Sequence, residues 1–410
     1  MHRMQKPGYR QDAGPGFLYI RCLRTAKQKE EIPVKKVLSM VLVLMLTCAL
    51  CASAEQTLVI GGTGPLTGDY ATYGTSVQNG AKLAAKEINE AGGVNGILFD
   101  VEMEDDQADP EKAINGYSIL VDEGMQVSLG SVTSGACLSL IEEAQVDGML
   151  VIAPSASQKE CIQYDNCFRI CFTDPMQGVY AADFIADNGI ATKVAIIYDK
   201  SNDYSVGIHD NFVSRSGEVG IDVVTDQAFT SQSNIDFSVQ LQAVKDSGAE
   251  LVFLPIYAQE AAYILTQAKS AGIEATFFGC DGLDGILTKI GEGNVDACEG
   301  VMLLTPFAAD AQDEKTVNFT TKYKEAYGET PDQFAADAYD AVYAIKAAME
   351  QAGITDLEDP DLNEKLISAM TEITVDGVTG TMTWDVEGEP NKSATAVVIK
   401  DGAYVAYSAQ

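Results

Sequence analysis

Positive charge is scarce past residue 54. Beyond that point the chain has eighteen lysines and arginines, only two of them arginine (Arg169 and Arg215), against 57 aspartates and glutamates. So acidic a surface repels phosphate backbones and anionic headgroups, which argues against a nucleic-acid partner. Histidine is scarcer still, with His209 alone past the first 54 residues, and none of the later cysteines forms a C-x-x-C pair. A zinc site of the His/Cys type is therefore not expected. A histidine-based nucleophile–base pair has one candidate, placed in a helical stretch away from strand ends, and no two carboxylates stand out by spacing. The expectation is a protein without catalytic activity, cofactor or metal. No later segment is apolar for long enough to span a membrane.

What the chain does have is length and apolar content. Its 410 residues, 46% of them hydrophobic, are enough for two or three ordinary domains. "VKKVLSMVLVLMLTCALCASAEQ" reads as a signal peptide, with a basic end at Lys35 and Lys36, an apolar run from Val37 to Leu50 and a small-residue cleavage site at Ala52-Ser53-Ala54. Residues 1–54 are thus expected to be a leader, with an over-extended start before the signal at about 34–54. Cys48 and Cys51 would be the points of lipid attachment. Thr47 and Leu50 precede them where such sites use Gly, Ala or Ser, so cleavage after Ala54 is favoured. Export makes Cys137, Cys161, Cys167, Cys171, Cys280 and Cys298 candidates for disulfides. Cys161 and Cys167, flanking the turn-like "IQYDN", are the expected pair.

Short apolar runs alternate with amphipathic stretches, the pattern of strand–helix–strand units on a parallel sheet. Strands are predicted at Leu58–Gly62, Phe99–Glu104, Val127–Gly130, Leu150–Ala153 and Phe168–Cys171. The first helix is predicted from about Tyr73 to Ala91, with Val77, Ala81, Ala84, Ala85 and Ile88 on one face. Asp109 and Pro110 open a second helix; the acidic run "EDDQADP" lacks the ligand spacing of a calcium loop and reads as a cap. A second set of units begins at "KVAIIYDK" and runs to "EGVMLLTPF", giving two similar α/β lobes. The helical stretch and strands that follow are too small for a third domain, so they are expected to complete the two lobes by crossing between them. Lobe 1 is expected from 55–174 and 306–382, lobe 2 from 175–305 and 383–410.

"IGGTGPLTGDYATYG" is the glycine-rich stretch after the leader. Read as G-x-G-x-x-G, its third glycine comes one residue late, and Pro65 removes an amide from the turn that would hold a pyrophosphate. No Gly-Lys-Ser/Thr ends it, so a Walker-type phosphate loop is not present either. With the residues up to Gly96 it resembles the first βα unit of the branched-chain amino-acid binding proteins of ABC importers, type I periplasmic binding proteins of the Leu/Ile/Val family. The resemblance recurs in "GSVTSGA", "VIAPSAS", "CFRICFTDPMQG", "AIIYDKSNDYSVG" and "FFGCDGLDG".

That resemblance implies two Rossmann-like three-layer lobes joined by a multi-strand hinge, a Venus-flytrap that closes on a small solute. It also implies a monomer that hands an aliphatic amino acid to a membrane permease. The candidates lie at the C-terminal ends of predicted strands, where crevices form in open α/β sheets. Ser134 offers a hydroxyl and an amide at a helix start, suited to a carboxylate, although a Ser there is on its own more often a plain helix cap. The resemblance puts the Ala156 backbone and the Ser157 hydroxyl at the ligand's α-carbon substituents; the family commonly has Thr where Ser157 stands. It sets Asp281 against the ammonium, a position at which a turn-forming Asp before Gly282 is the plain alternative. It brings the glycine-rich backbone close to the ligand, with Tyr73 toward the ligand side chain, and Tyr204 and Tyr257 over it from lobe 2. Asp174, at the first crossing, is either a second ammonium partner or a hinge cap. Urea or short amides, another amino acid, or a sensor role are the alternatives.

Overall fold

The computed structural model describes residues 56–407; the leader, with Cys48 and Cys51, lies outside them. Apolar runs form strands and the amphipathic stretches between them form helices. β1 (Thr57–Gly64), α1 (Ala71–Glu90), β2 (Leu98–Asp105), α2 (Pro110–Asp122), β3 (Val127–Ser131), α3 (Ser134–Asp147), β4 (Val151–Ala153) and β5 (Cys167–Arg169) follow in turn. Their strands make one parallel sheet, ordered β2-β1-β3-β4-β5. The helix starts obey local rules. Asp109 accepts the Glu111 and Lys112 amides at the head of α2, with Pro110 in the first turn.

The chain then enters α4 (Asp174–Asp187) and repeats the plan through β6 (Lys193–Asp199), α5 (Asp203–Val219), β7 (Asp222–Phe229), α6 (Ser238–Ser247), β8 (Leu251–Leu254), α7 (Ala258–Ala271), β9 (Thr276–Gly279), α8 (Ile286–Lys289) and β10 (Met302–Thr305). The order β7-β6-β8-β9-β10 mirrors the first sheet. In both, the reversal of strand order lies beside the first strand of the set, and crevices open at such switch points.

α9 (Glu314–Tyr327), α10 (Gln333–Ala352) and α11 (Leu362–Met370) return the chain to the first sheet's side. The Tyr339 and Tyr343 hydroxyls there donate to Glu87 of α1. α1 and α10 cross so closely that a Cβ on Gly80 would stand 2.0 Å from the Ala335 carbonyl oxygen, so only glycine fits. A small ribbon, β11 (Val375–Gly377) with β12 (Gly380–Met382), follows. β13 (Thr395–Lys400) and β14 (Ala403–Ala406) then extend the second sheet, β13 antiparallel to β10. Mixed α/β layering in two lobes is thus the architecture. Among the described residues no helix is long and apolar enough to cross a membrane.

The expected Cys161–Cys167 bridge is not formed: all six cysteines among the described residues are free thiols. Pairing of β5 with β4 fixes Cys167 opposite Val151, with its sulfur 3.7 Å from Asn166 Oδ1. Cys161 sits in a single 3-10 turn, Lys159–Ile162, that aims its sulfur at the Ser134 carbonyl, 3.7 Å away. The two thiols therefore take separate partners on the buried side of α3.

Candidate functional site

A small cavity of about 20 Å³, room for little more than one water, lies between the C-terminal ends of the two sheets. Five of the eight residues expected from the sequence line it: Tyr73, Ser134, Tyr204, Tyr257 and Asp281. Val132, Thr133, Ser155, Gly282 and Phe334 complete the wall. Closed this tightly it is far smaller than a ligand-filled pocket, but its lining of aromatic rings with a few polar groups is typical of a small-molecule site.

From the first sheet, β3 runs directly into α3 at the cavity edge. Thr133 is the extended N-cap of α3, but its hydroxyl makes no capping bond and is buried without a partner. Ser134 Oγ accepts the Gln158 amide at 3.2 Å, which leaves its own proton free. The head of a 14-residue helix thus faces the cavity, where unpaired amides and the helix dipole favour negative charge.

From the second sheet come Asp281, just past β9, and the two tyrosines. Asp281 Oδ1 accepts the Tyr204 hydroxyl at 2.6 Å and the Gly282 amide at 2.7 Å. Its own amide donates to Gln177 Oε1 at 3.0 Å. Burial pushes the Asp281 carboxyl up to about 7, against the pull of its bonds to Tyr204, Gln177 and Gly282. The Tyr204 and Tyr257 rings stack 4.9 Å apart.

Ala156, Ser157 and Asp174 do not line this cavity; at the first crossing the Asp174 amide donates to the Ser157 carbonyl at 2.9 Å. Asp174 is fully buried and neither carboxylate oxygen has a hydrogen-bond partner. Burial holds its carboxyl well above the usual range, and Asp281 raises it further. The Ser157 hydroxyl is close enough to favour the charged form but makes no aligned bond and is itself unpartnered. A cap role for Asp174 is not what is seen: Thr173 caps α4, its hydroxyl accepting the Met176 amide. The Ala156 backbone faces a different partner, its carbonyl accepting a long bond from Arg169.

Arg169 is the residue that sequence reasoning passed over. Fully buried, it donates through Nη1 to the carbonyls of Ser157 (2.8 Å) and Gln158 (3.0 Å) and through Nη2 to Lys159 (2.8 Å). Its Nε lies 3.4 Å from Glu389 on the third crossing. The guanidinium fork therefore fixes the loop that carries Ser155 and Ser157. That it is one of only two arginines past the leader was a signal in the sequence. Phe334 and Ser155 had none, since each enters the wall only through the packing of distant segments.

The glycine-rich stretch contributes Tyr73 and no other residue to the wall. Two of its glycines, Gly64 and Gly74, leave room for close packing. A Cβ on Gly64 would stand 2.5 Å from Val132, and one on Gly74 would stand 2.2 Å from the Pro65 carbonyl oxygen. The turn itself is held by Asp105, which accepts the Leu66 and Thr67 amides. His209 is equally structural: its ring stacks on Tyr198 at 3.9 Å, and its nitrogens lie 2.8 and 3.0 Å from Asp210 and Asp226.

Comparison with known proteins agrees with this layout. The model of the periplasmic binding protein family matches residues 57–403. The leucine-, isoleucine-, valine-, threonine- and alanine-binding protein of Pseudomonas aeruginosa is 31% identical over 339 residues, which is 82% of this chain and 88% of that protein. A Leu/Ile/Val-binding protein homologue of Brucella melitensis is 30% identical, covering 76% of this chain and 83% of its own. The crystal structure of the branched-chain amino-acid transporter substrate-binding protein LivJ of Streptococcus pneumoniae with isoleucine superposes with a TM-score of 0.78. It is 27% identical and covers 86% of this chain and 98% of that one. The leucine-binding protein LivK of Thermotoga maritima gives a TM-score of 0.77 at the same identity and coverage. The chain belongs to the periplasmic binding protein family, a family of binding proteins and not of enzymes.

Proposed function

We propose that the protein is an exported solute-binding protein that captures a small aliphatic amino acid of the Leu/Ile/Val type between its lobes and delivers it to an ABC importer permease. In this reading lobe 1 comprises 55–174 and 306–382 and lobe 2 comprises 175–305 and 383–410, and the protein acts as a monomer. One observation carries the reading. Two buried acids stand near each other, Asp281 in the cavity wall and Asp174 outside it but close enough for Asp281 to act on its charge, and neither Asp174 carboxylate oxygen has a hydrogen-bond partner. The head of α3 stands on the other side of the cavity, with Ser134 beside it. A buried carboxylate left unpaired costs several kcal/mol, on the order of a lost charge-assisted bond or more. A zwitterion relieves this by placing its ammonium at the acids and its carboxylate at the helix start. The rings of Tyr73, Tyr204, Tyr257 and Phe334 in its wall offer an apolar side chain its packing surface once the lobes part to admit it.

The relatives support the same ligand class, since the proteins named above are described as binding leucine, isoleucine or valine. Titration calorimetry with the twenty amino acids and urea tests it. Tight binding of leucine, isoleucine or valine is the expected result. Heat with urea alone, or with no amino acid, would show the ligand class to be wrong.

A further inference from the structure

We infer that the Tyr73 hydroxyl is a latch that holds the two lobes closed, a role separate from the contact its ring makes with the cavity. Tyr73 stands in the first turn of α1, on the first sheet's side. Its hydroxyl donates to the Gly282 carbonyl at 2.6 Å and accepts the Ala258 amide at 2.8 Å. Both partners belong to the second sheet's side: Gly282 follows β9, and Ala258 opens α7. Neither bond survives if α1 moves away from that side, so both count toward the closed form alone.

The geometry also ties the latch to the proposed ligand. The Gly282 amide donates to Asp281 Oδ1 and to the Tyr204 hydroxyl, so the residue that Tyr73 grips on its carbonyl is the one that orders Asp281 on its amide. Tyr73 is buried, with only 3% exposure, and its ring meets Phe334 at 4.8 Å and Tyr257 at 5.5 Å. Removing the hydroxyl leaves that ring packing intact while exposing a buried carbonyl and amide to no partner, which is the costly kind of loss. A second contact crosses in the same place, from the Tyr70 hydroxyl to Glu260 Oε1 at 2.7 Å, and it does not involve Tyr73.

The inference rests on the amino-acid reading for its kinetic arm only. Tyr73→Phe should raise the dissociation rate of leucine roughly ten- to a hundredfold and leave the association rate within about threefold, because only the closed state loses bonds. Small-angle X-ray scattering of the protein without added amino acid should show a larger radius of gyration for Tyr73→Phe than for the parent. Thermal unfolding of the variant establishes that it is folded. If the parent binds leucine and the variant releases it at the same rate with the same radius of gyration, the latch is refuted. If the parent binds no amino acid, the functional reading fails by itself, and scattering still decides the latch: equal radii refute it and a larger radius for the variant supports it.

Discussion

Asp281→Asn separates the charge of this side chain from its shape. Asparagine can keep an acceptor where Oδ1 now receives the Tyr204 hydroxyl and the Gly282 amide, so the local network survives the change. What disappears is the negative charge. A hydrogen bond to a charged group contributes about 1.5–3 kcal/mol, which translates to roughly a 10- to 150-fold loss in leucine affinity. Stability should move the other way. Burial raises the Asp281 carboxyl from 3.8 to about 7, so the folded protein holds this proton more tightly than the unfolded chain does. The resulting cost is absent below about pH 4, grows as pH rises toward 7 and is constant above. At roughly 1.4 kcal/mol per pH unit its ceiling is about 4 kcal/mol. The variant is spared that cost, so at pH 8 and without ligand it should melt no lower than the parent. The same proton contributes to binding: the ammonium favours the ionised acid, so the parent's affinity should fall below pH 7, with proton release on binding, and the variant, left with Asp174 alone, should release fewer protons. Calorimetry in buffers of different ionisation enthalpy, beside thermal melts from pH 5 to 8, reads all of this. Unchanged leucine affinity in Asp281→Asn would refute the charge pairing and favour a neutral amide ligand.

Three further outcomes follow from the packing. Lys392 is buried and donates to Asp337 at 2.7 Å and Thr379 at 2.5 Å, so Lys392→Met leaves Asp337 alone; chemical denaturation should show a loss of about 3–5 kcal/mol. That loss should shrink toward pH 5, because Asp337, already pushed up to about 6 by burial, can then be neutral. Gly80→Ala should destabilise by about 1–3 kcal/mol in the same assay, since its methyl meets the Ala335 backbone carbonyl and α1 must move off α10. Alkylation of the unfolded protein followed by mass spectrometry should modify all of Cys137, Cys161, Cys167, Cys171, Cys280 and Cys298; an unmodified pair would contradict the free thiols of the structure.

The elements were legible wherever local pattern and burial agree. The apolar runs gave β1 to β5 within a few residues, and the helix predicted from Tyr73 to Ala91 runs from Ala71 to Glu90. Val77, Ala81, Ala84, Ala85 and Ile88, read as one helical face, are all buried. Strand ends, together with the family resemblance, pointed to Tyr73, Ser134, Tyr204, Tyr257 and Asp281, because a parallel sheet gathers its C-terminal loops in one place. Less legible was anything that depends on a segment arriving from far along the chain. Phe334 joins the wall from α10, and Arg169 reaches Glu389 across the third crossing. Cys161 and Cys167 are close in sequence, but a single 3-10 turn sends their sulfurs to different partners. The capping alternative for Asp174 failed for a local reason: Thr173, one residue earlier, takes that role.

The central claim is that both ends of a zwitterion are held at once, the carboxylate at Ser134 and the head of α3, the ammonium at Asp281 and Asp174. Calorimetric titration with leucine, with its analogue lacking the carboxylate and with its analogue lacking the ammonium tests this most directly. The account predicts that leucine binds and that each analogue is weaker by roughly a hundredfold or more, since each leaves one buried charged or dipolar partner unpaired. An ammonium-free analogue binding as tightly as leucine would contradict it.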